Sequence, residues 1–141
     1  MAALDGRAGP FRKQDYEALA RFRYALRRFV RFSEDAARRH GITPQQHQLL
    51  LAIKGFQGRD WATVGELAER LQLRHHSVVG EIDRAEAAGL VVRTPHPEDR
   101  RAVEVRTTAA GERMLASLTE VHRRELESIR TAFAALGEVF R

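Results

Sequence analysis

Thr63-Val-Gly-Glu66, Leu67-Ala-Glu-Arg-Leu71, His75-His-Ser-Val-Val79, Ala88-Gly-Leu90, the run Arg93 to Arg106, and Thr108-Ala-Ala-Gly111 follow one another along this chain. Thr63 and Glu66 have capping-box spacing, in which hydroxyl and carboxylate each satisfy a backbone N–H at the start of a helix. Val64, Leu67, Ala68 and Leu71 share one face of that helix, and Leu73 supplies the apolar residue of a turn. A second helix is expected from about His75 to Ala88, with Val78, Ile82 and Ala85 inward and Gly89 closing it. Leu90-Val-Val-Arg93 and Ala102-Val-Glu-Val-Arg106 are β-branched runs separated by Thr94-Pro-His-Pro-Glu-Asp-Arg-Arg101. The two prolines of that separator predict a loop rather than a strand through the tip. Helix, turn, helix, strand, loop, strand, helix is the order of a winged helix-turn-helix, so the expected fold is mainly α with a small antiparallel β-wing.

Upstream, Leu19, Phe22, Leu26, Phe29, Val30 and Ser33 recur at helical spacing between about Asp15 and Arg39, and Gly41 is placed to end that helix. Thr43-Pro-Gln-Gln46 forms another capping box with proline in the first turn, opening a helix whose buried face is expected to be His47, Leu50, Leu51 and the stem of Lys54. Trp61-Ala62 fits a short strand pairing with the later hairpin. Downstream, Thr108 caps a long helix whose apolar positions Leu115, Leu118, Leu126, Ile129, Phe133, Leu136 and Phe140 step largely by three and four, and Gly137 offers a break in its last turn. The expected organisation is one domain over residues 1–141, with the winged motif at about 43–111 and helices at about 10–40 and 112–141 flanking it. Those outer helices carry more apolar surface than the central motif can cover. Pairing with a second copy is the economical solution, with Leu19, Phe22, Leu126, Ile129, Phe133 and Leu136 as the dimerisation residues.

The chain has 141 residues, 43% of them hydrophobic and 30% charged, and it has no cysteine. Disulfides, thiolate metal sites and thiol switches are therefore excluded. No signal-peptide pattern or membrane-length apolar stretch is read from the sequence, so a cytoplasmic location without membrane association is expected. The net charge of +5 favours a polyanionic partner, since each phosphate contact releases condensed counterions. There is no Gly-rich phosphate loop, no His-Glu metal helix and no nucleophile with a recognisable base. Neither catalysis, nor a cofactor, nor a bound metal is expected.

Two constellations carry the chemistry. The N-terminal turn of the second helix in a helix-turn-helix points at base edges, and here it offers Arg74, His75, His76, Ser77, Val79 and Gly80. Val79 can touch a thymine methyl, and the backbone N–H groups favour a phosphate. His75 and His76 diverge by about 100° on a helix, which disfavours a shared metal site. The hairpin gathers Arg93, His96, Asp99, Arg100 and Arg101. A narrow minor groove attracts arginine through its negative potential, while Asp99 can pin Arg101 or the loop backbone. Which arginine enters the groove is left open.

Thr43-Pro-Gln-Gln with Leu49-Leu-Leu-Ala-Ile53, Leu67-Ala-Glu-Arg-Leu71, Ala88-Gly-Leu-Val91, Pro97-Glu-Asp-Arg-Arg101 and Thr107-Thr-Ala-Ala-Gly111 together resemble the MarR family of bacterial transcription regulators, over roughly residues 10–140. The resemblance implies a homodimer gripping a pseudo-palindromic double-stranded DNA operator, as a repressor relieved by a small aromatic or anionic ligand. It places Asp99 and Arg101 at the family's Asp-x-Arg wing positions and His75 to Gly80 at the reading positions. It also implies a ligand pocket between the dimer helices and the reading domain, for which Phe22, Phe29, Phe32, His47 and Trp61 are candidates. The chain departs from the family pattern at Arg74, where serine or a similar cap is common, at Gly80, where a polar or basic residue is common, and at Glu81, where an aliphatic one is usual. Glu81 either pairs with Arg84 or accepts from a cytosine amino group. Without cysteine the chain is no thiol-based peroxide sensor. Two other readings are a metal-responsive regulator using His40, His47 and His122, and a winged helix serving only protein interaction.

Overall fold

The computed structural model describes residues 10–99 and 101–140. Five helices and three short strands follow the sequence order: α1 (Lys13–Arg39), α2 (Pro44–Lys54), β1 (Trp61–Ala62), α3 (Val64–Leu71), α4 (His75–Ala87), β2 (Val91–Pro95), β3 (Val103–Thr107) and α5 (Ala109–Val139). The three strands form an antiparallel sheet in the order β1-β3-β2. Both capping boxes close as their spacing requires, with Thr43 and Gln46 reciprocally bonded at the start of α2 and Thr63 and Glu66 at the start of α3.

The chain divides into two compact units. One comprises residues 34–120 and holds the winged motif together with the end of α1 and the beginning of α5. Its centre is α2, which packs on α3, α4, β1 and β3. Leu49, Leu50, Ile53, Leu67, Val78, Ile82, Ala85 and Val105 are completely buried. The buried face of α2 differs from the expected one. Leu49 and Ile53 lie inside with His47 and Leu50, whereas Leu51 is exposed and Lys54 reaches out to Glu112 at 3.0 Å. Leu51 instead lines a surface cavity of about 180 Å³ between the end of α2 and the end of α3.

Pro95 is the second correction. The expected loop from Thr94 begins later, because β2 continues through Thr94 and Pro95, paired with Glu104 and Val103. β2 is an edge strand, where a missing N–H costs no ladder bond. The start of α5 is built on the end of α4. Gly89 has φ of 78°, the left-handed conformation that ends α4. Its carbonyl then accepts the Thr108 hydroxyl at 2.6 Å, and the Leu90 carbonyl accepts the Thr108 N–H at 3.0 Å. Gly111 packs so closely that a Cβ there would run into the Leu90 carbonyl.

The other unit, residues 1–33 and 121–141, is formed in its described part by the first turns of α1 and the second half of α5. Phe22 meets Phe133 edge to face at 4.7 Å, and Phe29 and Phe32 flank His122 at 5.8 and 5.5 Å. His122 is buried, with Nε2 2.8 Å from the Ser33 hydroxyl. α5 continues through Gly137 to Val139, so that glycine does not break the helix. Leu19, Leu126 and Phe133 remain exposed, the last at 53%. Among the described residues no helix is long and apolar enough to cross a membrane.

Candidate nucleic-acid interface

The turn between α3 and α4 is set by Gln72, whose φ of 53° is left-handed and which closes α3 by donating its backbone N–H to Ala68 and Glu69. Its side chain also donates to the Glu69 carbonyl at 2.8 Å. Leu73, expected as the apolar anchor of this turn, is exposed. Arg74 then adopts an extended conformation at the N-cap of α4 and makes no side-chain capping bond. A short oxygen-bearing side chain normally accepts a first-turn N–H at this position. With arginine there, the positive end of α4 is open to an acceptor supplied from outside.

Arg74, His75 and His76 are exposed, Ser77, Val79 and Gly80 are half-buried, and Val78 is anchored in the core. The reading residues expected from sequence therefore share one end of one helix, oriented by Val78, Ile82 and Ala85 beneath it. Glu81 pairs with Arg84 at 2.9 Å, one of its two expected arrangements. Gly80 leaves room for the same Arg84 guanidinium, which a Cβ at Gly80 would meet at 3.4 Å.

The hairpin sorts its polar residues by role. Asp99 accepts the backbone N–H of Arg101 at 2.9 Å, so it pins the loop and not the guanidinium. The Ala102 N–H bonds to the Asp99 carbonyl at 3.1 Å, and the His96 N–H to the Ala102 carbonyl at 3.1 Å, closing the tip. Arg101 is exposed, and Arg100 lies outside the described residues.

Arg93 and His96 are placed differently from the DNA-facing position expected of them. Arg93 turns back onto α4, bridging Asp83 at 2.5 Å and Glu86 at 2.8 Å, and only 26% of its side chain is exposed. Burial alone would make its guanidinium easier to discharge, but the two carboxylates outweigh this and hold it charged. The pair of contacts ties the wing to α4. His96 faces the base of the wing, its ring 5.5 Å from Trp61 and its Nε2 3.8 Å from the buried Glu104 carboxylate. Its Nδ1 accepts the Glu98 N–H at 3.1 Å.

Sequence reasoning missed the polar network beneath the wing. Glu104 accepts from Arg106 at 2.7 Å, Arg106 approaches Asp60 at 3.5 Å, and Lys54 joins Asp60 at 3.9 Å to Glu112 on α5 at 3.0 Å. The bond and charge of Glu112 hold the Lys54 ammonium more firmly protonated than usual. Arg59 lies between the Phe56 and Trp61 rings at 4.3 and 3.8 Å and also pairs with Glu66. The alternation of Glu104 and Arg106 on one strand face was the available signal, but the partners come from three other segments.

The five residues considered for a ligand pocket fall in both units. Phe22, Phe29 and Phe32 belong to the aromatic packing of the terminal unit, while His47 is buried on α2 and Trp61 is held in the cation–π stack. None of them lines the cavity beside Leu51. Among the described residues, no group of three or more His, Asp or Glu is gathered to hold a metal ion.

The sequence pattern of the MarR family matches residues 40–102. The HTH-type transcriptional repressor MdtR of Bacillus subtilis (strain 168) is 30% identical over 78 residues, which are 55% of this chain and 48% of that protein. The match thus spans about half the length of that relative. A transcriptional regulator from Thermotoga maritima, known from its crystal structure, is similar at 30% identity over 84% of this chain and 80% of that one, with a TM-score of 0.64. A mutant MarR of Escherichia coli, crystallised with operator DNA, shares the fold at 22% identity and a TM-score of 0.65, over 84% of this chain and 90% of that one. An α2-α3-α4 core with the β1-β3-β2 wing defines a winged helix-turn-helix protein. Over residues 40–102 the chain is similar to the MarR family of transcription regulators, and it shares the fold of such regulators along most of its length.

Proposed function

We propose that this protein is a homodimeric, sequence-specific DNA-binding transcription regulator, a repressor that a small aromatic or anionic ligand releases from a pseudo-palindromic operator. The observation that carries the reading is the open N-terminus of α4. Arg74, His75 and His76 are exposed there, no side chain caps the helix, and a wing with an exposed Arg101 is clamped to the same helix through Arg93. Such an end presents donors to base edges and backbone N–H groups to a phosphate. The repressor named among the relatives and the operator complex of the Escherichia coli protein support DNA as partner.

Dimerisation is supported by the apolar side chains left exposed in the terminal unit, among them Leu19, Leu126 and Phe133. Exposed large apolar side chains on neighbouring turns of two helices suit an interaction site. Phe22, Ile129 and Leu136, the other candidates, are half-buried. Release by a ligand enters through the family resemblance.

Selection of bound fragments from genomic DNA, followed by footprinting, tests the reading. The expected footprint has two half-sites with centres about 10 bp, or a multiple of it, apart. Retention of all fragments alike at every salt concentration would contradict it.

A further inference from the structure

Between Glu17 and Glu34 the chain carries five arginines, at 21, 23, 27, 28 and 31, and no acidic residue. All five side chains are exposed on α1. An ion pair on this helix, Arg38 with Asp35 at 3.6 Å, lies outside the run, and among the described residues no carboxylate pairs with any of the five guanidiniums. Arg28 rests beside the Tyr24 ring at 5.8 Å. Helical geometry puts Arg23, Arg27 and Arg31 in one row, away from the face on which Phe22 and Phe29 meet the rings of Phe133 and His122. Among the described residues no ion pair engages this concentration of charge, and neither the reading turn nor the wing includes it.

We propose that this face of α1 is a second, sequence-independent binding surface for the phosphate backbone of double-stranded DNA. The run from Arg21 to Arg31 rises about 15 Å, or roughly one positive charge per 3 Å. One strand of the duplex carries one negative charge per about 3.4 Å of axis, so the linear charge densities match. Arginine suits this partner, because its planar guanidinium bonds phosphate oxygens in pairs. Tyr24 and Val30 are the only large apolar groups exposed within the run, too few for the apolar face that a membrane-surface helix needs. A two-fold contact of this row with itself would oppose like charges, which disfavours that contact as the cover of the row. The inference rests on the DNA-binding reading for its partner but on different residues for its contacts.

Binding of the full-length protein to a fluorescein-labelled random-sequence duplex, measured by anisotropy across a salt series, tests it. Arg23→Gln, Arg27→Gln and Arg31→Gln together should lower the slope of log affinity against log salt by about 2–3, at about 0.9 per lost phosphate contact. Lysine at the same three positions should restore most of the slope, and light scattering should give the wild-type mass for both variants. An unchanged slope in the glutamine variant overturns the proposal even if footprints stand. Loss of the wild-type mass in the glutamine variant also overturns it, making the row a subunit contact. So does wild-type binding to anionic phospholipid vesicles at a salt concentration where the duplex is released. If instead the slope falls while reading-turn variants leave every footprint intact, this surface stands and the assignment of the reading turn fails.

Discussion

Asp99 accepts a backbone N–H, the second of the two roles that the sequence leaves open for it. Asp99→Ala should loosen the wing tip and weaken DNA binding without removing a cation. Arg101→Ala should leave melting unchanged and reduce the salt slope by about 1. Amide exchange at residue 101 together with the salt series checks both, and an unaltered slope in the Arg101 variant would remove that side chain from the interface. Glu66 gives a pH prediction. Burial works to raise its carboxyl, but bonds from the Thr63 backbone and hydroxyl and from Arg59 prevail, holding it below its ordinary value of 4.5. A carboxyl lowered in the folded state stabilises fully above the unfolded value and loses that contribution as pH falls through the folded one. Melting of the wild type should therefore drop below about pH 4.5 more steeply than that of Glu66→Gln, and parallel curves would contradict the assignment. At this scale the sequence was only partly legible. It placed Arg93 and His96 in the wing, but their direction depends on Asp83, Glu86, Glu104 and Trp61, which come from other elements.

Elements were far more legible, because their signals are local. Thr43 with Gln46 and Thr63 with Glu66 announce two helix starts through bonds made within four residues. β2 was misjudged at Pro95 because strand order decides whether a proline is tolerated, and no local pattern states that order. Thr108-Ala-Ala-Gly111 was read as a cap, yet its glycine answers to a contact: α5 starts against the Leu90 carbonyl, with Leu50 beside it. Gly111→Ala should therefore cost about 1–3 kcal/mol, the usual range for overpacking. Gly65→Ala, on α3 with open space around its Cβ position, is the control and should be neutral or stabilising. Equal melting temperatures for the two variants would show that the α5 start tolerates displacement.

At the scale of the molecule, the winged helix-turn-helix is legible from its motif, whereas the proposed dimer rests on exposed apolar side chains. Light scattering should give about twice the 16.0 kDa chain mass. Changing Leu126 and Phe133, which are 48% and 53% exposed, to polar residues should shift the mass toward one chain. A dimer of undiminished affinity after both changes would place the interface elsewhere. The open end of α4 must discriminate bases if the protein reads an operator, and paired affinities measure this directly. His76→Ala and Ser77→Ala, assayed on the selected operator and on a random duplex of equal length at one salt concentration, should separate the two modes of binding. Operator affinity should fall by about 1–3 kcal/mol, roughly 5- to 150-fold, for whichever residue contacts a base, while random-duplex affinity stays unchanged. Equal losses on both duplexes, or no loss on either, would contradict the central claim.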